Sequence, residues 1–399
     1  MRRTLTITAI VIVAVGLGVW VYFSFFVDSA DIIVAPGGSA TLPVAGQGTF
    51  PTEETVGATT TPTNAPTVVS ARLIKISAGP VVPGVAVTNS AAASASSSPE
   101  TIVSYIERQS GNVYTYLVRT QTPTRTSNKT VPGIQSAVWL PDGSLAFVRY
   151  LSGEDFSTIN TYALPATGAG GFFLSQNLSD LAVSSAGILS LASGVNGSVV
   201  SLSRTDGTRS SELFTTPLSA IRVSFAGKNQ YLVYTKPSAS LEGDAFLVDS
   251  AGRFSRIAGP KNGLVALASP SGKWVLISSA NGSALQMKLV NAATGEATKL
   301  PVATIADKCV WTDDDSALYC GIPMSPPSAS YPDDWYQGAV HFSDRLWRID
   351  VAGRYAQLVL DFTKETDTAL DAQALALNPS RTTLSFVNKN DGSLWVYSL

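Results

Sequence analysis

His341 is the only histidine in the 399 residues, and Cys309 and Cys320 are the only cysteines. Nucleophilic and metal chemistry draws heavily on these residue types, so their scarcity removes most such reactions. A serine hydrolase would need His341 as its base, and the chain has no Gly-x-Ser-x-Gly elbow. Gly168, Gly170 and Gly171 lack the spacing and following helix of a nucleotide loop and read as a turn. The run Asp313 to Asp315 offers hard oxygens to calcium, but it lacks the alternation of a dedicated loop and stands where a hairpin turn is required. Asp333 and Asp334 could pair as acid and base, although adjacent residues on a strand point to opposite sides, which favours solvated loop carboxylates. No metal and no cofactor is expected.

The two cysteines suit a bond to each other. They lie four residues before and four after the turn Asp313 to Ser316, so a tight hairpin sets them opposite one another. Opposed residues at a non-hydrogen-bonded pair have Cα atoms about 4.5 Å apart, at the near edge of the disulfide range. The alternative is two free thiols packed as small apolar groups. Just beyond them, Gly321 to Ser343 concentrates Tyr331, Trp335, Tyr336 and Phe342 among Pro323, Pro326, Pro327 and Pro332, with Asp333, Asp334 and His341 as polar handles. Large aromatic area with little ordering entropy to lose is the composition of a binding surface. The competing reading is that these aromatics fold back and plug the rim of their own unit.

What positions these residues is a repeat. The stretch Ala137 to Tyr150, a short apolar run, a polar turn and a second apolar run, returns at turns marked by Gly143, Gly187, Gly227, Gly272, Asp315 and Arg381. The interval is 40 to 45 residues until the last step of 66, which holds the aromatic insertion. Repeats of this length with several strands are the signature of propeller blades. Runs such as Leu145 to Val148 and Trp274 to Ile277 are apolar at consecutive positions, as strands covered on both faces must be. The expected fold is therefore all-β, a seven-bladed propeller of four-stranded blades over residues 68–399. The seventh repeat ends at Leu399 with three strands, so Ala71 to Ser77, which resembles the outer-strand segment Arg253 to Pro260, is expected to pair with Leu394 to Tyr397. The Ala/Ser run Asn89 to Pro99 reads as a lengthened hairpin loop.

Trp139 to Phe147, Ser269 to Ile277 and Trp311 to Tyr319 resemble the repeats of TolB-like β-propellers, in which a tryptophan or small residue precedes Ser-Pro-Asp-Gly and an apolar strand. The third and fourth repeats depart from it, lacking Pro and Asp at the turn. The resemblance covers about 330 residues of the chain and implies a propeller that serves as a platform for partners. The chain is also similar to membrane-tethered propellers of uncultivated bacteria with reduced genomes, which brings no assigned activity.

Leu5 to Val27 is a run of 23 uncharged residues, long enough as a helix, at about 34 Å, to cross a bilayer. Arg2 and Arg3 before it and Asp28 and Asp31 after it put the N-terminus inside and the remainder outside. A cleaved signal peptide is the alternative, disfavoured by the length of the run and by Phe25 and Phe26 where small residues would be wanted. The expected organisation is a transmembrane anchor over 1–27, a linker over 28–67 and the propeller. From Ala35 to Thr67 the linker is rich in Gly, Pro, Thr and Ser and spans about 30 Å as a coil. A net charge of -2 gives no footprint for nucleic acid. The function expected from these features is a single-pass protein of the cytoplasmic membrane whose extracytoplasmic propeller binds a protein or wall glycan on one face, and which is not an enzyme. The alternative is an extracellular hydrolase or lyase using carboxylates in the propeller mouth, disfavoured because innermost strands such as Ala137 to Leu140 and Val265 to Ser269 are poor in charge.

Overall fold

A computed structural model describes residues 67–68, 72–90 and 99–399. The anchor expected over 1–27 and most of the linker lie outside the described residues, as does the centre of the Ala/Ser run. Among the described residues no helix is long and apolar enough to cross a membrane.

The described chain folds into seven antiparallel sheets, six of four strands and one of five, which are the blades of a propeller. Blades 1 to 6 occupy residues 86–125, 134–173, 178–216, 221–262, 265–299 and 309–361. Blade 7 takes three strands from 372–398, and its fourth strand is Leu73–Lys75 from the other end of the chain. The register is Leu73 opposite Tyr397, Ile74 opposite Val396 and Lys75 opposite Trp395. A fifth strand, Thr67–Val68, pairs antiparallel with Leu73–Lys75 and was not anticipated. Within each blade the strands run a, b, c and d from the axis outward. The b–c hairpins and the connections between blades form the upper face, and the a–b and c–d turns form the lower face.

The apolar strands form because each blade is covered on both sides. Phe147, Val148, Leu232, Val233, Leu276 and Leu318 are fully buried at successive positions of b strands, and packing runs from blade to blade. The tryptophans of the repeat motif stitch neighbours together. Trp139 Nε1 donates to Gly84 O at 3.1 Å, in the segment entering blade 1, and Trp311 Nε1 donates to Leu267 O at 3.3 Å in blade 5. Two turn glycines have the same duty. Gly227 and Gly272 stand at positive φ, and a Cβ on either would come within 2.4 Å of the other turn's backbone.

The long last repeat has two sources, not one. The b strand of blade 6 runs Ala317–Pro323 and the c strand Asp344–Asp350, so the insertion occupies 324–343 and contains helix α1, Asp333–Gln337. The remaining excess is helix α2, Phe362–Thr366, in the connection to blade 7.

Candidate functional site

The insertion folds back into the protein. Tyr331, Trp335 and Phe342 are each at most 3% exposed, and all three belong to the apolar core that spans blades 4 to 6. Trp335 stacks on Phe342 with ring centroids 6.3 Å apart. The polar handles are also engaged. Asp333 Oδ2 accepts the Ala239 N–H at 2.7 Å, Asp334 Oδ2 accepts the Ser330 N–H at 2.7 Å, and Tyr336 donates its hydroxyl to Asp307 Oδ2 at 2.7 Å. Only His341 is exposed, at the rim of a shallow depression with Ser343, Ala369 and Asn390. The expected aromatic docking surface is therefore corrected: Tyr331, Trp335 and Phe342 have no face to offer a partner, because packing across blades 4 to 6, and against Asp371 ahead of blade 7, has taken it.

The reason lies underneath. Lys308, in the 3-10 turn Ala306–Lys308, is 0% exposed, as are the side chains of its partners Asp344 and Asp371. Its ammonium lies 2.8 Å from Asp344 Oδ2, pairs with Asp371, and donates to Ala372 O at 2.9 Å. It also sits 4.9 Å from the Trp335 ring centre and 5.0 Å from that of Phe342. Asp371 in turn accepts from Trp335 Nε1 at 2.9 Å and from the Phe342 N–H at 3.0 Å. One ion cluster thus binds the insertion, blade 6 and blade 7. Burial pushes the Asp344 carboxyl up to about 6, against the pull of Lys308 and with a further push from Asp371. Its Oδ1 is buried with no partner.

A second network crosses the upper end of the axis. Arg149 comes from blade 2, Asp180 from blade 3, Arg222 and Tyr234 from blade 4, and Asp307 and Tyr336 from the approach to blade 6 and its insertion. Asp180 Oδ2 accepts the Val223 N–H at 2.9 Å, and Arg149 donates to Leu178 O. Burial works against the charge of Arg222, but Tyr234, Asp307 and Asp180 around it outweigh that and hold its pKa above the ordinary value. Burial raises the Asp180 carboxyl, with Arg222 opposing, and raises Tyr336 well above the phenol range with Asp307 adding to it. Innermost strands were expected to be poor in charge, yet Asp180 and Arg222 stand on them. The signal was present in Leu178-Ser-Asp-Leu and Ile221-Arg-Val, where a charge interrupts an apolar strand. Two carboxylates, Asp180 and Asp307, therefore both act on Arg222 at the mouth.

On the lower face, blades 5 and 6 leave an open cleft of about 420 Å³ lined by Ser271, Lys273, Trp274, Asp313, Asp314 and Asp350 among others. Trp274 is half-buried and Lys273 lies 5.8 Å from its ring centre. The carboxylates of the turn diverge. Asp315 is buried and accepts from Ser269 Oγ at 2.8 Å and the Ser271 N–H at 3.1 Å, while Asp314 accepts from Ser316 Oγ at 2.7 Å and pairs with Arg381. Asp313 is exposed. The hydroxyls of Ser316 and Thr312 hold the Asp314 carboxyl below its usual range. Among the described residues no three metal-ligating side chains converge. Cys309 and Cys320 pair directly across the a and b strands with Cα atoms 4.1 Å apart, and their sulfurs are bonded.

Comparison with solved structures finds oligogalacturonate lyase from Vibrio parahaemolyticus, covering 82% of this chain and 93% of its own, with a TM-score of 0.54 at 9% identity. Hydrazine synthase from Kuenenia stuttgartiensis covers 80% and 96% at a TM-score of 0.51 and 14% identity. TolB from Acinetobacter baumannii covers 79% of each chain at a TM-score of 0.42 and 11% identity. The chain is a seven-bladed β-propeller. At these identities the likeness carries the fold alone. No protein-family model matches the sequence, and no curated protein does. The comparison corrects one expectation: among the neighbours of this propeller above a TM-score of 0.5 is a lyase, so the reading of the chain as no enzyme is withdrawn.

Proposed function

We propose that this propeller is tethered to the cytoplasmic membrane on its outer side and binds an envelope glycan in the lower-face cleft between blades 5 and 6. The observation that carries the reading is the cleft itself. It joins the flank of an indole to carboxylates, an ammonium and hydroxyls, which is the combination that meets the apolar face and the hydroxyl edge of a sugar ring. The insertion is less suited to a ligand, since its Tyr331, Trp335 and Phe342 are at most 3% exposed. Isothermal titration of the full chain with oligosaccharides released from the cell envelope tests it. Trp274→Ala should abolish the binding heat seen with the parent chain; a parent chain that binds none of these oligosaccharides overturns the reading. The tether is tested by adding protease to intact cells, which should release the propeller, whereas a chain protected until the cells are broken contradicts the orientation.

A second reading, a hydrolase or lyase acting at the channel mouth, rests on Asp180 and Asp307. Its test is release of new chain ends from the same oligosaccharides, lost in Asp180→Asn.

A further inference from the structure

The large apolar side chains left exposed are distributed unevenly. Among the described residues there are eight: Leu151, Phe156, Phe173, Val195, Leu241, Met324, Tyr355 and Leu358. Five of them stand on the upper face, where Leu151 is next to last in the b strand of blade 2 and Phe156, Val195, Leu241 and Met324 occupy the b–c hairpins of blades 2, 3, 4 and 6. One, Tyr355, is on the lower face, in the c–d turn of blade 6. Phe173 and Leu358 lie on outer strands. The four hairpin residues are all more than half exposed. Phe156 is held at a φ of 53°, a conformation a bulky residue rarely adopts and one that a glycine or asparagine would take at less cost.

The chain also enters the propeller on that side. Thr67 pairs with Lys75, and Lys75 is the end of its strand from which the chain continues to blade 1, so Thr67 lies at the upper face. The segment expected to cross the membrane is joined there through a linker whose coil span is about 30 Å. With such a tether the upper face is the side of the propeller on which the chain arrives from the membrane.

We propose that the upper face docks on the phospholipid surface of the membrane that anchors the chain, inserting Phe156, Val195, Leu241 and Met324 at its interface. The proposal rests on the membrane tether of the preceding reading. Separate tips on four blades suit a flat apolar layer better than a single protein groove, since each meets it independently. The residues flanking the four tips include Asp155 and Glu242 and no cation, so the docking draws on apolar burial and not on anionic lipid, and salt should leave it unchanged. Docking in this sense turns the lower-face cleft away from the membrane toward the envelope. It also covers the channel mouth around Arg222, Asp180 and Asp307, so this docking and the second reading above exclude one another.

The test uses the full chain reconstituted in vesicles of zwitterionic phospholipid. The native cysteines are bonded to each other, so a cysteine introduced as Phe156→Cys, Val195→Cys, Leu241→Cys or Met324→Cys takes an environment-sensitive fluorophore alone. Emission at all four sites should shift to the blue and be quenched by nitroxide-labelled lipid, equally at low and high salt, while a label at Tyr355→Cys stays aqueous. If the chain floats with the vesicles but the four labels stay aqueous, the docking is overturned and the tether stands. A chain that does not float overturns both. Labels that are aqueous in vesicles yet shielded after addition of envelope proteins assign the rim to a protein and overturn the lipid assignment.

Discussion

Blade 6 carries aspartates and cations at both of its ends, and the two ends have opposite fates. At the upper end Asp344, Asp371 and Lys308 are wholly withdrawn from water and organised around one ammonium. At the lower end Asp313 and Asp314 are exposed, Asp314 paired with an exposed Arg381. The same residue types do different work because hydration decides the balance. Removing a carboxylate from water costs several kcal/mol unless partners replace its shell, so the upper cluster persists only as a complete set and holds three pieces of chain together. The lower carboxylates lose nothing by staying solvated.

The largest effect should come from breaking the upper set. Lys308→Met leaves two carboxylates buried without a cation and should cost about 3 to 5 kcal/mol in denaturant unfolding of the full chain. Next is the disulfide beside it: Cys309→Ser with Cys320→Ser should cost about 2 to 3 kcal/mol, and thiol titration of the unreduced, denatured parent should find no free thiol. Trp335→Phe keeps a ring over Lys308 but removes the donor to Asp371, which should cost about 1 to 3 kcal/mol; if it instead weakens glycan binding with an unchanged unfolding midpoint, the division between a structural upper end and a functional lower end fails.

A smaller effect sharpens the same contrast through pH. The Asp344 carboxyl, raised to about 6 from 3.8, keeps its proton in the fold to a higher pH than in the unfolded chain. Between about pH 4 and 6 the fold therefore binds more protons, so this group makes stability decline as pH rises through that window and level off above it. Asp344→Asn should flatten that decline in unfolding midpoints measured from pH 4.5 to 7. Smallest of all in stability is Asp313→Asn, for which the midpoint should stay where it is while affinity for the glycan falls. An equal loss of both would place Asp313 in the structure and not in the cleft.

The repeat was readable because its physics is local. Apolar strands, Gly or Asp turns and a recurring interval are written within each 40 to 45 residues, and the cysteine spacing about Asp313 to Ser316 is a hairpin property. The aromatic insertion was locatable for the same reason, as an interruption of the interval. Its role was not, since what draws Trp335 and Phe342 inward is Lys308 before them and Asp371 after them, residues whose sequence neighbourhoods are unremarkable. Asp180 and Arg222 show the same limit. Each looks like a stray charge in an apolar strand until the blades close and bring them together with Asp307.

By itself the sequence determined the architecture: seven repeats of strands covered on both faces, and an outer strand supplied from the beginning of the chain to its end. These follow from side-chain periodicity, which acts over a few residues and needs no knowledge of the rest. Only the tertiary structure decided which charges are dry and which are wet, and hence which aspartates lock the blade and which stay solvated. The physical reason is that the cost of a charge depends on what surrounds it in space, and in a ring of blades that surrounding is set by residues tens of positions away.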